Sequence, residues 1–507
     1  MFAFAIWDAR KQELFLARDR LGEKPLYYFQ GSEGMFLFAS EVRALLASGM
    51  IDRRLDDTTL RVYLYNGFTI APRTMIHGIL ALLPGHWMRV DLEGKIREIR
   101  AYWDVPLFGR GGEKAVDVDM EVLRQELSHA TSMRMISDVP LGAFLSGGLD
   151  SSLVVALMSR MAETVRTFSI GFSEKKYDES VYADWVARRF HTQHTSIILG
   201  AEDFEKWLEA GLNAMDQPTF DGLNTYFVAR AARESGLTVA LSGLGGDELF
   251  GGYPFFNLAP KIRRLASLGK LFPLTIRKKL AEKGRIHGPL KTLHIFDQEI
   301  PQGLELLVAY QVSQSLFPKN ELESLLDDQL TLSPLWFGLP EEFLDYLKQR
   351  CREVDEKSQL SYYILRLFQG ERTLRDSDSM SMASSLEVRT IFTDHVFLEK
   401  IWQIPGSIRC QGAPNKPFEA QIARPILGND YPYHHKQGFI FPFQTWLQTE
   451  TLQERMREVL LDPATQKLLG LQALRVEQIF NDASLPWSRV WALYVLARWA
   501  EKNMVSL

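Results

Sequence analysis

After about residue 118 the chain takes up one rhythm and keeps it. A segment with helical spacing, MEVLRQELSHATSMRMI, leads into the short apolar run LGAFL; SSLVVALMSRMAE leads into TFSIGF; SVYADWVARRF leads into HTSIIL; and NTYFVARAARESG leads into TVALSG. Apolar runs joined through helices cannot pair by tight turns. Crossover helices lay successive strands parallel, so this alternation predicts an α/β fold with a doubly wound parallel sheet. From about Phe255 onward the text reads as mostly helical, and no internal repeat is visible.

The first hundred residues obey a different rule. FAFAIW, ELFLA, PLYYF, MFLFAS, HWMRVDL and KIREIRAYW are strand-like runs separated by turn residues, which predicts antiparallel sheet up to about Val105. The opening MFAFAIWD, with a Trp and two Phe, reads as a buried strand, and a second strand, Glu13–Ala17, follows a short polar turn. Between the two regions, VPLFGRGGEKAVDVD is Gly-rich and charged and reads as a linker.

Composition narrows the class of partner. The 58 basic and 63 acidic residues leave a net charge of -5, which argues against a nucleic-acid binder and against a basic stripe for a membrane surface. Two cysteines, Cys351 and Cys410, cannot form a disulfide framework and point to a reducing compartment. No apolar run reaches the ~18 residues of a membrane span. A cytoplasmic location is the expected one.

The chemistry concentrates in LGAFLSGGLDSSLVVAL. A strand ending at Leu145 runs through a Ser/Gly loop into a helix near Ser151, which aims loop amides and a helix N-terminus at one point and suits a phosphate. Gly147 and Gly148 let an anion approach the backbone, and Ser146, Ser151 and Ser152 add hydroxyls. Asp150 beside an anion makes sense with a bridging divalent cation. A plain helix cap needs one such residue, not this set. No Walker-type G-x-x-x-x-G-K-[ST] loop occurs anywhere in the chain.

SGGLDSS resembles the pyrophosphate loop of the ATP pyrophosphatases that release AMP and pyrophosphate. TFSIGF followed by YDES and TQHTS, then VALSGLGGDELFGGY, SMSMASSLEVRTIFTDH and KQGFIFPFQTWL, resembles the asparagine synthetase (glutamine-hydrolysing) family. That resemblance implies an adenine nucleotide alpha-hydrolase-like domain over residues 118–507. It implies ATP on Leu145, Ser146, Gly147, Gly148, Leu149, Asp150 and Ser151, with Ile170, Ser242 and Gly243 also on the nucleotide. Asp150 and Asp247 match carboxylates that hold Mg2+. Glu387 and Lys436 match residues expected to face an acyl-adenylate, the lysine stabilising charge and the acid orienting it or taking a proton from ammonia. RDRLGEKPLYY, FASEVRALL and MIHGILALLPGHWMRV resemble part of the family's glutaminase domain, which implies a partial Ntn-hydrolase (class II glutamine amidotransferase) α+β domain over residues 1–105. The family places a catalytic cysteine at that domain's start; this chain has Met1 and Phe2, so Met1 is expected to be a cut and the glutaminase half incomplete.

The implied reaction converts aspartate, ammonia and ATP to asparagine, AMP and pyrophosphate. The chain departs from the family pattern at Leu244, Ser379, Ile391, Thr393 and His434. Leu244 motivates a rival in which the same chemistry acts on another carboxylate, a sugar acid or a peptide or β-lactam precursor. A second rival is a truncated, non-functional remnant. Neither nucleic acid nor membrane is an expected partner, and the oligomeric state is open, a homodimer included.

Overall fold

The computed structural model describes residues 1–107, 119–269, 271–273, 275–277, 279, 300, 302–327, 335–433 and 441–504. Most of the linker read at 105–119 lies outside the described residues, as does Lys436.

Two antiparallel sheets are built from the first hundred residues. One has four strands in the order β1 (Ala3–Asp8), β2 (Glu13–Arg18), β6 (His86–Asp91), β7 (Ile96–Ala101). The other has three, β4 (Phe36–Ala39), β3 (Tyr27–Gln30) and β5 (Ile79–Ala81). Leu16, Met88 and Val90 of the first sheet share a core with Tyr28 and Leu80 of the second. Strand β5 is too short for periodicity to reveal.

The opening strand corrects an expectation. β1 pairs in register with β2, Ala3 opposite Arg18, but it is an edge strand rather than a buried one. Ile6 is 56% exposed and Trp7 48%. An apolar run reports that a strand wants cover; it does not report what the neighbouring elements supply.

The third sheet is fully parallel: β10 (Gln193–Leu199), β9 (Arg166–Phe172), β8 (Leu141–Phe144), β11 (Val239–Ser242), β14 (Glu387–Thr390). The chain runs outward from β8 to β9 and β10, then returns to place β11 on the other side of β8. The strand order therefore reverses around β8, and the carboxyl ends there open a crevice. The connecting helices are Leu149–Ser159, Ser180–Arg189, Ala201–Ala214 and Leu223–Glu234. In the first of these every residue from Ser151 to Met158 is buried, as a helix between sheet and outer helices requires. Each strand read from the alternation is present. β14 was not anticipated: it arrives 145 residues after β11 from a region that reads as helical. A ribbon of β12 (Leu335–Trp336) and β13 (Leu339–Pro340) completes the strands among the described residues.

The two sheet regions touch through specific polar contacts. Lys24 Nζ lies 2.7 Å from Asp378 Oδ1, Thr390 Oγ1 donates to Glu23 Oε2 at 2.9 Å, and the Ala71 amide donates to Glu371 Oε2 at 2.9 Å. Asp216 accepts the amides of Val42 and Arg43, each at 2.9 Å, at the start of the helix Val42–Ala47. No helix among the described residues is long and apolar enough to cross a membrane.

Candidate active site

The loop after β8 is shaped by its own hydroxyls and by a glycine. The Leu145 amide makes the last contact with β9, donating to the Phe168 carbonyl at 2.8 Å. Ser146 Oγ lies 3.0 Å from Ser151 Oγ and accepts the Gly148 amide at 3.3 Å. Gly147 has φ +82°, and a Cβ there would stand 2.6 Å from the backbone nitrogen of Ala183. The loop can thus lie against the helix Ser180–Arg189 only without a side chain at that position. The result is a ring of loop groups closing on the N-terminus of the helix Leu149–Ser159, whose first amides have no partner within the helix.

The loop after β11 comes up against it. Ser242 Oγ accepts the Leu244 amide at 3.3 Å, and the short helix Gly246–Phe250 begins directly after. A Cβ on Gly246 would meet Asp150 Oδ1 at 2.0 Å. The two loops therefore touch where the carboxylates stand, and Asp150 and Asp247, 97 positions apart, share one ion-pair partner.

That partner is Lys416, which sequence reasoning missed. Its Nζ lies 2.6 Å from Asp150 Oδ2, 3.0 Å from Asp247 Oδ1 and 2.9 Å from Glu419 Oε2. Lys416 is buried and has φ +48° at the head of the helix Pro417–Leu427. Burial alone would lower the ammonium's pKa; the three carboxylates outweigh it and hold it well above the ordinary lysine value. Glu419 is fully buried. Burial first, and the charge of Asp150 second, push its carboxyl well above the usual range, against the pull of Lys416. The only sequence signal for Lys416 was a lysine three residues before a glutamate at a Pro-led helix start. That pattern is common, and on its own it reads as a surface pair.

These groups line one cavity of about 530 Å3. Leu145, Ser146, Gly148, Leu149, Asp150, Ser151, Ile170, Ser242, Gly243 and Asp247 all contribute to its wall, together with Leu244 and Lys416. Gly147 stands behind the wall, its carbonyl accepting the Tyr431 hydroxyl at 2.8 Å. Also lining the cavity are Glu248, buried, and Tyr253, whose hydroxyl donates to Glu248 Oε1 at 2.8 Å. Among the described residues no three His, Cys, Asp or Glu side chains are arranged to hold a metal by themselves. Asp150 and Asp247 do present hard oxygens, and a magnesium ion is commonly held by one or two carboxylates with phosphate oxygens completing its shell.

Glu387 does not line this cavity. It is the first residue of β14, paired with Val239 at the start of β11, whereas the cavity lies beyond the other ends of the strands. Its two oxygens are taken by Arg389, Nε to Oε1 at 3.1 Å and Nη2 to Oε2 at 3.3 Å. Arg389 in turn donates to the Arg134 carbonyl at 2.9 Å and the Ile136 carbonyl at 2.6 Å, closing the end of the helix Met120–Arg134. Burial works against ionised Glu387; the paired guanidinium outweighs it and holds the carboxyl below its usual value. The intervening residue, Val388, does line the cavity.

A parallel sheet that reverses its strand order beneath a Gly/Ser loop, with paired acids and a buried lysine in the crevice, is the arrangement of an α/β enzyme with its site over the carboxyl ends of the strands. Residues 122–501 match the asparagine synthase family model, and residues 1–103 match that of a glutamine amidotransferase domain. The chain belongs to the asparagine synthase family, and it is an enzyme of the glutamine-hydrolysing ligase class. It is 27% identical over 526 residues to asparagine synthetase [glutamine-hydrolyzing] 1 of Bacillus subtilis, spanning 99% of this chain and 78% of that one. It is 40% identical over 262 residues to a putative asparagine synthetase [glutamine-hydrolyzing] 2 of Methanocaldococcus jannaschii, spanning 50% of this chain and 49% of that one. It is also 24% identical over 485 residues to the amidase chyE of Penicillium rubens, covering 88% of this chain and 70% of that protein.

Proposed function

We propose that this chain activates a carboxylate with ATP and passes the acyl group to ammonia, with aspartate as the carboxylate and asparagine as the product. The observation that carries this reading is the meeting of the Ser146–Ser151 loop, Asp150, Asp247 and Lys416 in one cavity. The loop amides and hydroxyls receive the phosphates, and Ile170, Ser242 and Gly243 border the rest of the nucleotide. Asp150 and Asp247 would hold magnesium, whose chemistry is to neutralise the leaving pyrophosphate. Lys416 puts a buried positive charge at the same point. The carboxylate oxygen attacks the α-phosphorus and pyrophosphate leaves. Ammonia then attacks the acyl carbon, the bond to the phosphate oxygen breaks, AMP departs and the nitrogen loses its proton. Lys436, outside the described residues, is assigned to the acyl-adenylate through the family resemblance alone.

In the same reading residues 1–105 form an Ntn-hydrolase-type glutaminase region, and residues 118–507 form an ATP pyrophosphatase-type synthetase region. Neither cysteine suits glutamine hydrolysis. Both are buried; burial pushes the Cys351 thiol up to about 12 and raises that of Cys410.

The test is pyrophosphate release from ATP that depends on both aspartate and magnesium, with asparagine identified as product. ADP and phosphate as products would sink the adenylation step. Leu244 in the cavity wall favours a second reading, in which another carboxylate takes the place of aspartate. A panel of carboxylates in the same assay separates the two.

A further inference from the structure

The overall charge balance conceals a local excess. Residues 261–279 contain seven Lys or Arg and no Asp or Glu, in a chain of net charge -5. The run begins inside the helix Phe255–Gly269, which buries one face: Phe256, Ala259, Ile262 and Ala266 point into the protein, and the helix Glu305–Gln314 packs alongside. The opposite stripe, Lys261, Arg264 and Leu268 at helical spacing, is exposed. Arg263 lies between the faces and is used internally, 3.0 Å from Glu356.

Where the helix ends, the surface becomes apolar without becoming covered. Leu268 is 59% exposed, Leu271 79%, Phe272 50% and Ile276 45%. Single exposed leucines need no explanation, but four large apolar side chains within nine residues form a patch. Along the chain the exposed cations Lys261 and Arg264 precede these residues and the exposed Lys279 follows them.

We propose that this segment docks on an anionic lipid bilayer, the four apolar side chains entering the boundary between headgroups and acyl chains while the cations meet lipid phosphates. The combination selects that partner. An amphipathic helix with an exposed basic stripe, followed directly by exposed Leu, Phe and Ile, is the chemistry of an interfacial segment, and cations near an anionic leaflet each add attraction. A nucleic acid would satisfy the charge and leave the apolar residues in water. A second copy of this chain on the same surface would set the exposed Lys261, Arg264 and Lys279 against like charges. The segment is continuous with the cavity wall: Tyr253, which lines the cavity, stacks on Phe255 with ring centroids 5.1 Å apart.

The experiment is co-sedimentation of the full chain with vesicles of phosphatidylcholine containing phosphatidylglycerol, and with pure phosphatidylcholine vesicles. The expected result is binding to the anionic vesicles only, lost as salt rises from about 0.1 M to about 1 M and the Debye length shrinks from ~10 to ~3 Å. Replacing Lys261 and Arg264 with Gln should weaken partitioning about 25-fold, at about fivefold per charge. Leu271→Ser with Phe272→Ser should abolish it with the charge intact. All four residues are exposed, so unchanged thermal melting and unchanged pyrophosphate release verify that these variants fold. Equal binding to neutral vesicles, no binding to either, or variants that bind like the parent overturns the proposal. So does capture of single-stranded RNA that is indifferent to the apolar substitutions.

Discussion

Lys416 Nζ lies 2.6 Å from Asp150 Oδ2 although 266 residues separate them in the chain. A buried ammonium joins the loop after the central strand to a helix from the far end of the molecule, with Asp247 and Glu419 on its other sides. Replacing Lys416 with Met keeps its length and removes its charge, leaving the buried Asp247 and the half-buried Asp150 without this cation. Breaking a buried ion pair from one side costs roughly 3–5 kcal/mol. Lys416→Met should therefore lose about that much stability in urea titration and lose pyrophosphate release. The double variant Lys416→Met, Asp150→Asn should recover part of the stability and none of the activity. A single variant as stable as the parent would show that the cluster is not the buried charge balance described.

Gly246 tests the contact between the two loops. Its missing side chain is the space in which Asp150 Oδ1 stands. Gly246→Ala forces the carboxylate or the loop aside, an overpacking cost of about 1–3 kcal/mol. Pyrophosphate release should fall at least tenfold while the protein remains folded, and the apparent affinity for magnesium should weaken. Normal magnesium dependence would mean that Asp150 has no part in holding the ion.

Glu387 yields a contrasting expectation. Its carboxylate orients Arg389, which closes the end of the helix Met120–Arg134. Glu387→Ala should cost about 1 kcal/mol of stability, the range of a partly exposed charged hydrogen-bonded pair. The KM for ATP should stay unchanged. A loss of turnover far beyond the stability loss would return Glu387 to the chemistry.

Glu23 joins the first region to the edge of the parallel sheet, bonded by Thr390 and lying 3.4 Å from Arg134. Burial, its largest influence, pushes the carboxyl up from 4.5 to about 7 against the pull of Arg134. A raised acid binds its proton more tightly folded than unfolded. Its stabilising contribution is therefore complete below the unfolded value and is lost as pH rises through the folded one. Between about pH 5 and pH 8 the melting temperature of the parent should fall more steeply than that of Glu23→Gln. Parallel curves would rule out Glu23 as the titrating group.

Local pattern was enough for the second half of the fold up to Ser242. The alternation of apolar runs and helical segments specified β8, β9, β10 and β11, because period and turn chemistry are local properties. SGGLDSS likewise announced its loop, since strand, glycines and helix start are contiguous. Three things were decided only by tertiary packing. The exposure of Ile6 and Trp7 depends on which elements cover β1, and no residue within β1 encodes that. The arrival of Glu387–Thr390 as the fifth strand, with Glu387 at the end away from the cavity, depends on its pairing with β11 across 145 residues. Lys416 acquires its place only because the helix Pro417–Leu427 packs against the helix Leu149–Ser159. Motifs record short-range geometry; a single side chain delivered from a distant element leaves no local signature, because its surroundings are created by packing alone.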